Sequence, residues 1–378
     1  MDADSNGHRG HASAGAKRGT ITQMTSDALT ILVPTYRNDA KARRVLAGLA
    51  ALVAGSEGRM RLIIGDNSQN PQKHEFLWRL AEWSPELIDI HCRPQRISGQ
   101  MNLLDLFGKS ASGILMFHAD DDYISDDYMV RAHEILRQDP GVSAAYTSYI
   151  VNKGGSILTV PQTSPQLDQA SPVERLVENH NCWGGYNLLF YSVFRKRNLE
   201  GTVAFLNACP IEAPFHDWWF SYAMVCSGSV RNAAVGQILY AAEGMHETGG
   251  NDSIAHYAAL GLPPIVSHLQ LLFTAAEGAC FFLGKYSPVA DATGRQACAQ
   301  FVFETNIKIA IAQLQQSDLP ALGIEGEVLR QLTTVILNND WLTLENTIDF
   351  LHLVLAQTNA DLADRYRDFL NDALKIPA

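Results

Sequence analysis

Close cysteine pairs are missing from this 378-residue sequence: Cys92, Cys182, Cys209, Cys226, Cys280 and Cys298 stand singly, with no Cys-x-x-Cys. That favours reduced, mostly buried thiols in a cytoplasmic-type compartment over a disulfide framework or a zinc site. No apolar run reaches the length of a membrane span. A basic surplus is absent too, and a net charge of -11 argues against a nucleic-acid partner. An anionic substrate stays open, because a metal ion can supply positive charge locally. There is no Gly-x-Gly-x-x-Gly after the first strand, no phosphate loop ending in Gly-Lys-Ser/Thr, and no Gly-x-Ser-x-Gly elbow. Dinucleotide oxidoreductases, phosphate-loop ATPases and serine hydrolases thereby lose their main signatures. Residues 1–26 lack an apolar h-region and read as a disordered tail rather than a secretory signal.

What is present is an ordinary globular composition, 47% hydrophobic and 18% charged, long enough for one large or two smaller domains. Leu29–Val33 reads as a buried strand closed by Pro34. A helix follows, with Asn38 or Asp39 placed to cap it and Val45, Leu46, Leu49, Leu52 and Val53 at helical spacing. Arg61–Gly65 reads as a second strand, followed by a helix capped by Asn70 with Pro71 at its first position and Phe76, Leu77 and Leu80 turned inward. Leu87–His91 and Ile114–His118 are a third and a fourth strand. Ser125 can cap the next helix, which Pro140-Gly141 stops before a strand at Val142–Tyr149; a further strand is expected at Val235–Ala241. Strands alternating with helices predict an α/β fold with a Rossmann-like, mostly parallel sheet flanked by helices. Residues 151–215 read as irregular, with some helix and strand. From about Ala255 helical segments dominate, near 265–282, 296–314, 328–337, 342–356 and 362–374, as a helical C-terminal extension. The boundaries expected are 1–26 for the tail, 27–252 for the α/β domain and 253–378 for the helical domain.

Ligands of open parallel sheets bind at the carboxyl ends of the strands. Pro34-Thr35-Tyr36-Arg37, Asp66-Asn67 and Asp120-Asp121-Asp122 each sit at such an end, so three polar clusters converge on one edge. An apolar strand running into three carboxylates needs solvent or a cation to offset their repulsion. Oxygen ligands at alternate positions suit Mg²⁺ or Mn²⁺ and leave coordination sites for a diphosphate. The alternative is a solvated turn before the Ser125 helix, where carboxylates favour the helix N-terminus.

Together, Pro34-Thr35-Tyr36, Asp66-Asn67-Ser68, Ser98-Gly99-Gln100-Met101-Asn102 and Asp120–Asp122 resemble the inverting family-2 glycosyltransferases of A-type fold, over residues 29–150 and more loosely to 252. The resemblance implies that Pro34, Thr35, Tyr36 and Arg37 line the nucleotide pocket, with Tyr36 near the base. It implies that Asp66, with Asn67 beside it, binds base or ribose, and that Gln100 and Asn102 belong to the loop approaching the donor. Met101 stands where members often have arginine. Asp120 and Asp122 match the Asp-x-Asp that holds Mn²⁺ or Mg²⁺ and the diphosphate, and Asp121 the residue between, near ribose or sugar. In Phe215-His216-Asp217-Trp218-Trp219, which resembles the His-Asp-Trp-Trp of bacterial rhamnosyltransferase-like members, Asp217 is the expected general base. Its alternative is a helix cap. Trp218, Trp219 and Trp183 are candidate platforms for a sugar ring, or ordinary core residues. His246, in Gly244-Met245-His246-Glu247-Thr248-Gly249-Gly250-Asn251, is a candidate metal ligand or phosphate donor, or an exposed loop histidine.

The implied activity is inverting transfer of a sugar from a nucleoside-diphosphate sugar, with UDP the commonest nucleotide of such families. The acceptor is open among glycan, lipid-linked sugar, peptide and small molecule. Two rivals stand beside it. A sugar-phosphate nucleotidyltransferase wants a glycine-rich, basic loop after the first strand, where this chain supplies Arg37. A non-catalytic nucleotide-binding or scaffold protein would use the helical region as its working surface. That region could also mediate a homodimer or shape the acceptor pocket.

Overall fold

The structure, a computed structural model, describes residues 27–153, 156–159, 167–183, 188–212, 216–241, 257–258, 261–262, 265–316, 330–331, 334 and 342–375; the side chains of Lys153, 156–159, Trp183, His216 and Ala241 are excluded. The tail at 1–26, His246 and its loop, the boundary near 252 and most of the helix expected at 328–337 lie outside these residues.

Among the described residues, nine strands form one sheet. The strands are β1 Leu29–Thr35, β2 Met60–Asp66, β3 Ile88–Cys92, β4 Ile114–Phe117, β5 Tyr123–Ile124, β6 Val142–Lys153, β7 Ser156–Thr159, β8 Val193–Arg195 and β9 Ser229–Ala241. The sheet order is β3-β2-β1-β4-β8-β6-β9-β5, with β7 beside β6. The first four strands are parallel, as expected of apolar runs separated by helices. Beyond β4 the sheet is mixed. β8 runs antiparallel to both β4 and β6, while β6 and β9 are parallel. β1 is central to the parallel half, and Leu29, Ile31, Leu32 and Val33 are buried because helices cover both faces.

Local signals account for the helices around this sheet. Asp39 caps α1 (Ala40–Ala54) by accepting from the Ala42 amide. Asn70 caps α2 (Pro71–Ala81) by accepting from the Gln72 and Lys73 amides, with Pro71 at the first turn. α3 (Gly99–Lys109), capped by Ser98, fills a stretch in which the sequence showed only a polar loop. α4 (Asp126–Gln138) starts at Ser125 as expected, but Ser125 makes no cap bond; its hydroxyl accepts from the Gln237 amide at 2.8 Å and ties the helix start to β9. Then come α5 (Pro172–Trp183), α6 (Glu200–Ala208) and α7 (His216–Ser227).

The C-terminal region is helical: α8 (Ile265–His268), α9 (Gln270–Leu283), α10 (Ala292–Gln315), α11 (Leu344–Ala356) and α12 (Ala360–Ala373). Every residue of α9 from Leu271 to Phe282 is buried. α9 packs on α10, α11 and α12, and its inner face meets the α/β part. The Trp219 ring of α7 lies 6.2 Å from Phe281, and Phe205 of α6 lies 5.4 Å from Phe281 and 5.0 Å from Phe369. One hydrophobic cluster thus runs through both regions. Among the described residues no helix is long and apolar enough to cross a membrane.

Candidate functional site

The register of the parallel strands builds the site. Thr35 pairs with Asp66, Asp66 pairs with Cys92, and Leu32 pairs with Phe117. The carboxyl ends of β1, β2, β3 and β4 therefore stand side by side, with the acidic run continuing directly beyond β4. The three polar clusters meet as the sequence predicts.

Their hydrogen bonds and ion pairs form a connected network. The Thr35 hydroxyl donates to Asp120 Oδ2 and accepts from Lys73 Nζ at 2.7 Å. Lys73 Nζ also lies 2.8 Å from Asp66 Oδ1, and both side chains of that pair are fully buried. Asp66 Oδ2 accepts from the Ser68 hydroxyl at 2.7 Å and faces His74 Nε2 at 3.0 Å. Asp66, expected at the base or ribose, is thus wrapped by protein groups, and His74, Ser68 and the exposed Tyr36 lie nearer the surface. Arg37 reaches across the acidic run, with Nη2 3.0 Å from Asp121 Oδ2 and Nε 3.9 Å from Asp120 Oδ1. Burial works against the Arg37 charge, but Asp121 and then Tyr36 and Asp120 outweigh it and raise its pKa. The Asp120 carboxyl is raised by burial, opposed by the Thr35 hydrogen bond and reinforced by Asp121. His118, at the end of β4, is buried and pushed down to about 4, and its Nδ1 lies 2.6 Å from the Ala119 carbonyl.

Asn67 and Asn102 prove to be braces. The Asn67 side chain bonds both the amide and the carbonyl of Ile97, fixing the loop before α3. Asn102 donates to the Gly65 carbonyl at 2.7 Å and accepts from Arg93, which also meets Asp105 at 2.6 Å. A Cβ at Gly65 would collide with the Asn102 carboxamide oxygen, so glycine lets α3 approach β2 closely. Gln100 is also buried, and its Oε1 has no hydrogen-bond partner among the described residues.

Asp122 sits in a nest of tyrosines that nothing in the sequence groups together. Tyr191 hydrogen-bonds it, and burial followed by the Asp122 charge raises the Tyr191 pKa. Tyr149 lies 6.3 Å from Tyr191 by ring centres, and Tyr240 lies 6.2 Å from it. The Tyr240 hydroxyl is raised by burial first and then by Asp122, Asp121 and Asp217 in turn. One phenol thus feels both the acidic run and Asp217, which opens α7 half-buried in its first turn. Trp218 is half-buried against Tyr222 at 6.3 Å. Trp219 is wholly buried between α7 and α9, so the expectation that it offers a face to a sugar gives way to a core role. The Trp183 side chain and His246 lie outside the described residues.

A divalent cation can be tested against these groups. Among the described residues, Asp120 and Asp121 face one guanidinium, Arg37, Asp122 lies buried beside Tyr191, and the charge of Lys73 is matched by Asp66. Hard oxygen donors carrying a surplus of negative charge fit Mg²⁺ or Mn²⁺. Elsewhere, ligand atoms of Asp66, His74 and Cys92 lie within 4.8 Å of one another. The Lys73 ammonium already holds the cation position there and would repel a metal.

No protein-family profile and no curated protein matches this chain. Solved structures do. S. aureus TarS 1–349 in complex with UDP-GlcNAc aligns over 91% of this chain and 90% of that one, at 13% identity and TM-score 0.51. S. aureus TarS 1–349 without that ligand aligns over the same shares at 12% identity and TM-score 0.49. At such identity the first likeness speaks for the fold, which is the α/β fold of glycosyltransferase A type with C-terminal helices.

Proposed function

We propose that this protein is an inverting glycosyltransferase that takes a sugar from a nucleoside-diphosphate sugar, UDP first among nucleotides, and passes it to an acceptor nucleophile. The observation carrying this reading is that the carboxyl ends of β1, β2 and β4 bring Thr35, Arg37 and Asp66 against the acidic run, with Thr35 bonded to Asp120 and Arg37 paired with Asp121. The candidate base, Asp217, and the acidic run both act on the Tyr240 hydroxyl, which is consistent with the proximity a single displacement requires. Support comes from the shared fold with a protein crystallised with UDP-GlcNAc.

In this reading Pro34, Thr35 and Tyr36 border the nucleotide, and Tyr36, largely exposed, is free to lie along the base. Arg37 is the cation on the acidic run best placed to turn toward a diphosphate. Asp120 and Asp122 would hold Mg²⁺ or Mn²⁺, whose chemistry there is to neutralise the departing nucleoside diphosphate. Asp217 takes the proton of the acceptor hydroxyl as that oxygen attacks the anomeric carbon from the face opposite the diphosphate. Inversion follows from one displacement without a covalent enzyme intermediate.

Calorimetric titration of UDP, GDP and dTDP, with and without Mn²⁺, tests the reading. Binding of UDP strengthened by Mn²⁺ is the expected result, and absence of any nucleotide binding in both conditions overturns it.

A further inference from the structure

Lys73 is the outlier of the donor edge. It lies on the first turn of α2, four and seven residues before Leu77 and Leu80 and so on the same inward face, and its charged side chain is completely buried there. A hydrophobic residue would fill that volume without desolvating an ammonium. The ion pair with Asp66 balances the charge but leaves the second interaction, with the Thr35 hydroxyl at 2.7 Å, unexplained.

That second interaction decides where a proton points. A threonine hydroxyl has one hydrogen and accepts through its lone pairs. With the ammonium donating to Thr35 Oγ1, the Thr35 hydrogen is directed at Asp120 Oδ2. Asp120 Oδ2 is thereby engaged inside the protein, and Oδ1 is the oxygen on the side of Arg37. The chain Asp66–Lys73–Thr35–Asp120 joins the ends of β2, β1 and β4 through side chains alone.

We propose that Lys73 is a positioning residue: by fixing the Thr35 hydroxyl it presents Asp120 Oδ1 to the cation that accompanies the nucleoside diphosphate. The inference rests on the proposed function. It differs in what it requires, because it concerns how well the cation strengthens nucleotide binding, not whether nucleotide binds.

The test is the ratio of UDP dissociation constants without and with Mn²⁺, measured calorimetrically on the full chain. The variants are Thr35→Val, Lys73→Met and the double variant Asp66→Asn/Lys73→Met, which leaves no unpaired buried carboxylate if Lys73→Met alone fails to fold. Poorer stacking of the base weakens binding equally in both conditions and leaves the ratio unchanged. Loss of Asp120 positioning lowers it. The expected result is a wild-type ratio of about ten or more that falls at least fivefold in Thr35→Val and in whichever Lys73 variant folds. A folded Lys73 variant that keeps the wild-type ratio overturns the inference. A wild type that binds UDP without any Mn²⁺ enhancement overturns it while leaving nucleotide binding standing, and a wild type that binds no nucleotide overturns both.

Discussion

Glu277 offers the sharpest quantitative test of how the helical region is held. It is buried in α9, where Tyr366 of α12 donates to it at 3.0 Å. Burial pushes its carboxyl up to about 8, the Tyr366 bond pulling only partly the other way. Cys209, Cys280, Tyr257 and Tyr366 surround it, each raised by burial and then by the Glu277 charge, and none of these four offers a positive charge. The unfolded chain titrates near 4.5, so between pH 5 and pH 8 the folded state keeps a proton that the unfolded state has released. The stabilising contribution is therefore complete below the unfolded value and is lost as pH rises toward 8. At 1.36 kcal/mol per pH unit, three units give an upper bound of roughly 4 kcal/mol, a large share of a typical 5–15 kcal/mol stability. Glu277→Gln keeps an acceptor for Tyr366 and removes the titration. Denaturant midpoints of both proteins at pH 5, 6.5 and 8 isolate the effect, because every other titration cancels in the difference. Wild type should lose ground to the variant steadily as pH rises. A stability difference that stays flat from pH 5 to 8 refutes the buried neutral acid.

Asp217→Asn should lower the turnover of sugar transfer by about 10²- to 10⁴-fold, the scale of general base catalysis, with UDP affinity changed less than about twofold; retained turnover would remove Asp217 from the chemistry. Asp122→Asn is expected to abolish the Mn²⁺ enhancement of UDP binding, read by calorimetry, and unchanged enhancement would place the cation elsewhere. A Cβ at Gly278 would come 2.5 Å from Val302 Cγ1 and 3.0 Å from the Trp219 ring. Gly278→Ala should therefore destabilise by about 1–3 kcal/mol through overpacking, despite a helix-propensity gain of about 1 kcal/mol. Thermal melting decides its sign.

The parallel half of the sheet was legible because its strands are buried on both faces. Leu29–Val33 and Ile114–Phe117 therefore read as unbroken apolar runs, and Asp39, Asn70 and Pro71 announce their helices. α3 was hidden because Gln100 and Asn102, polar residues on its buried face, interrupt the apolar period. β8 has three residues and no turn signal of its own, so its antiparallel insertion between β4 and β6 is set by tertiary pairing. At the site, the acidic run and Asp217 were visible as residue types. The tyrosines around Asp122 were not, because Tyr149, Tyr191 and Tyr240 come from segments far apart in the chain. Lys73 stayed hidden because its charge masks a position that the spacing to Leu77 and Leu80 turns inward, and only the fold shows it wrapped by Asp66 and Thr35.

The burial of Trp219 against Gly278 has a bearing on how this chain can be cut and recombined. The helix that opens with Asp217 is backed by α9, so the helical region serves as the rear wall of the α/β half. A chain ended near residue 252 would expose the inner faces of Phe205, Trp219 and Tyr222 to water. Grafting a foreign helical domain onto the same α/β half would succeed only if it brought a comparably flat, small-residue surface to meet that tryptophan. The position of Asp217 in such chimeras would then follow the tilt of one helix, set from behind by the packing of α9 on Trp219.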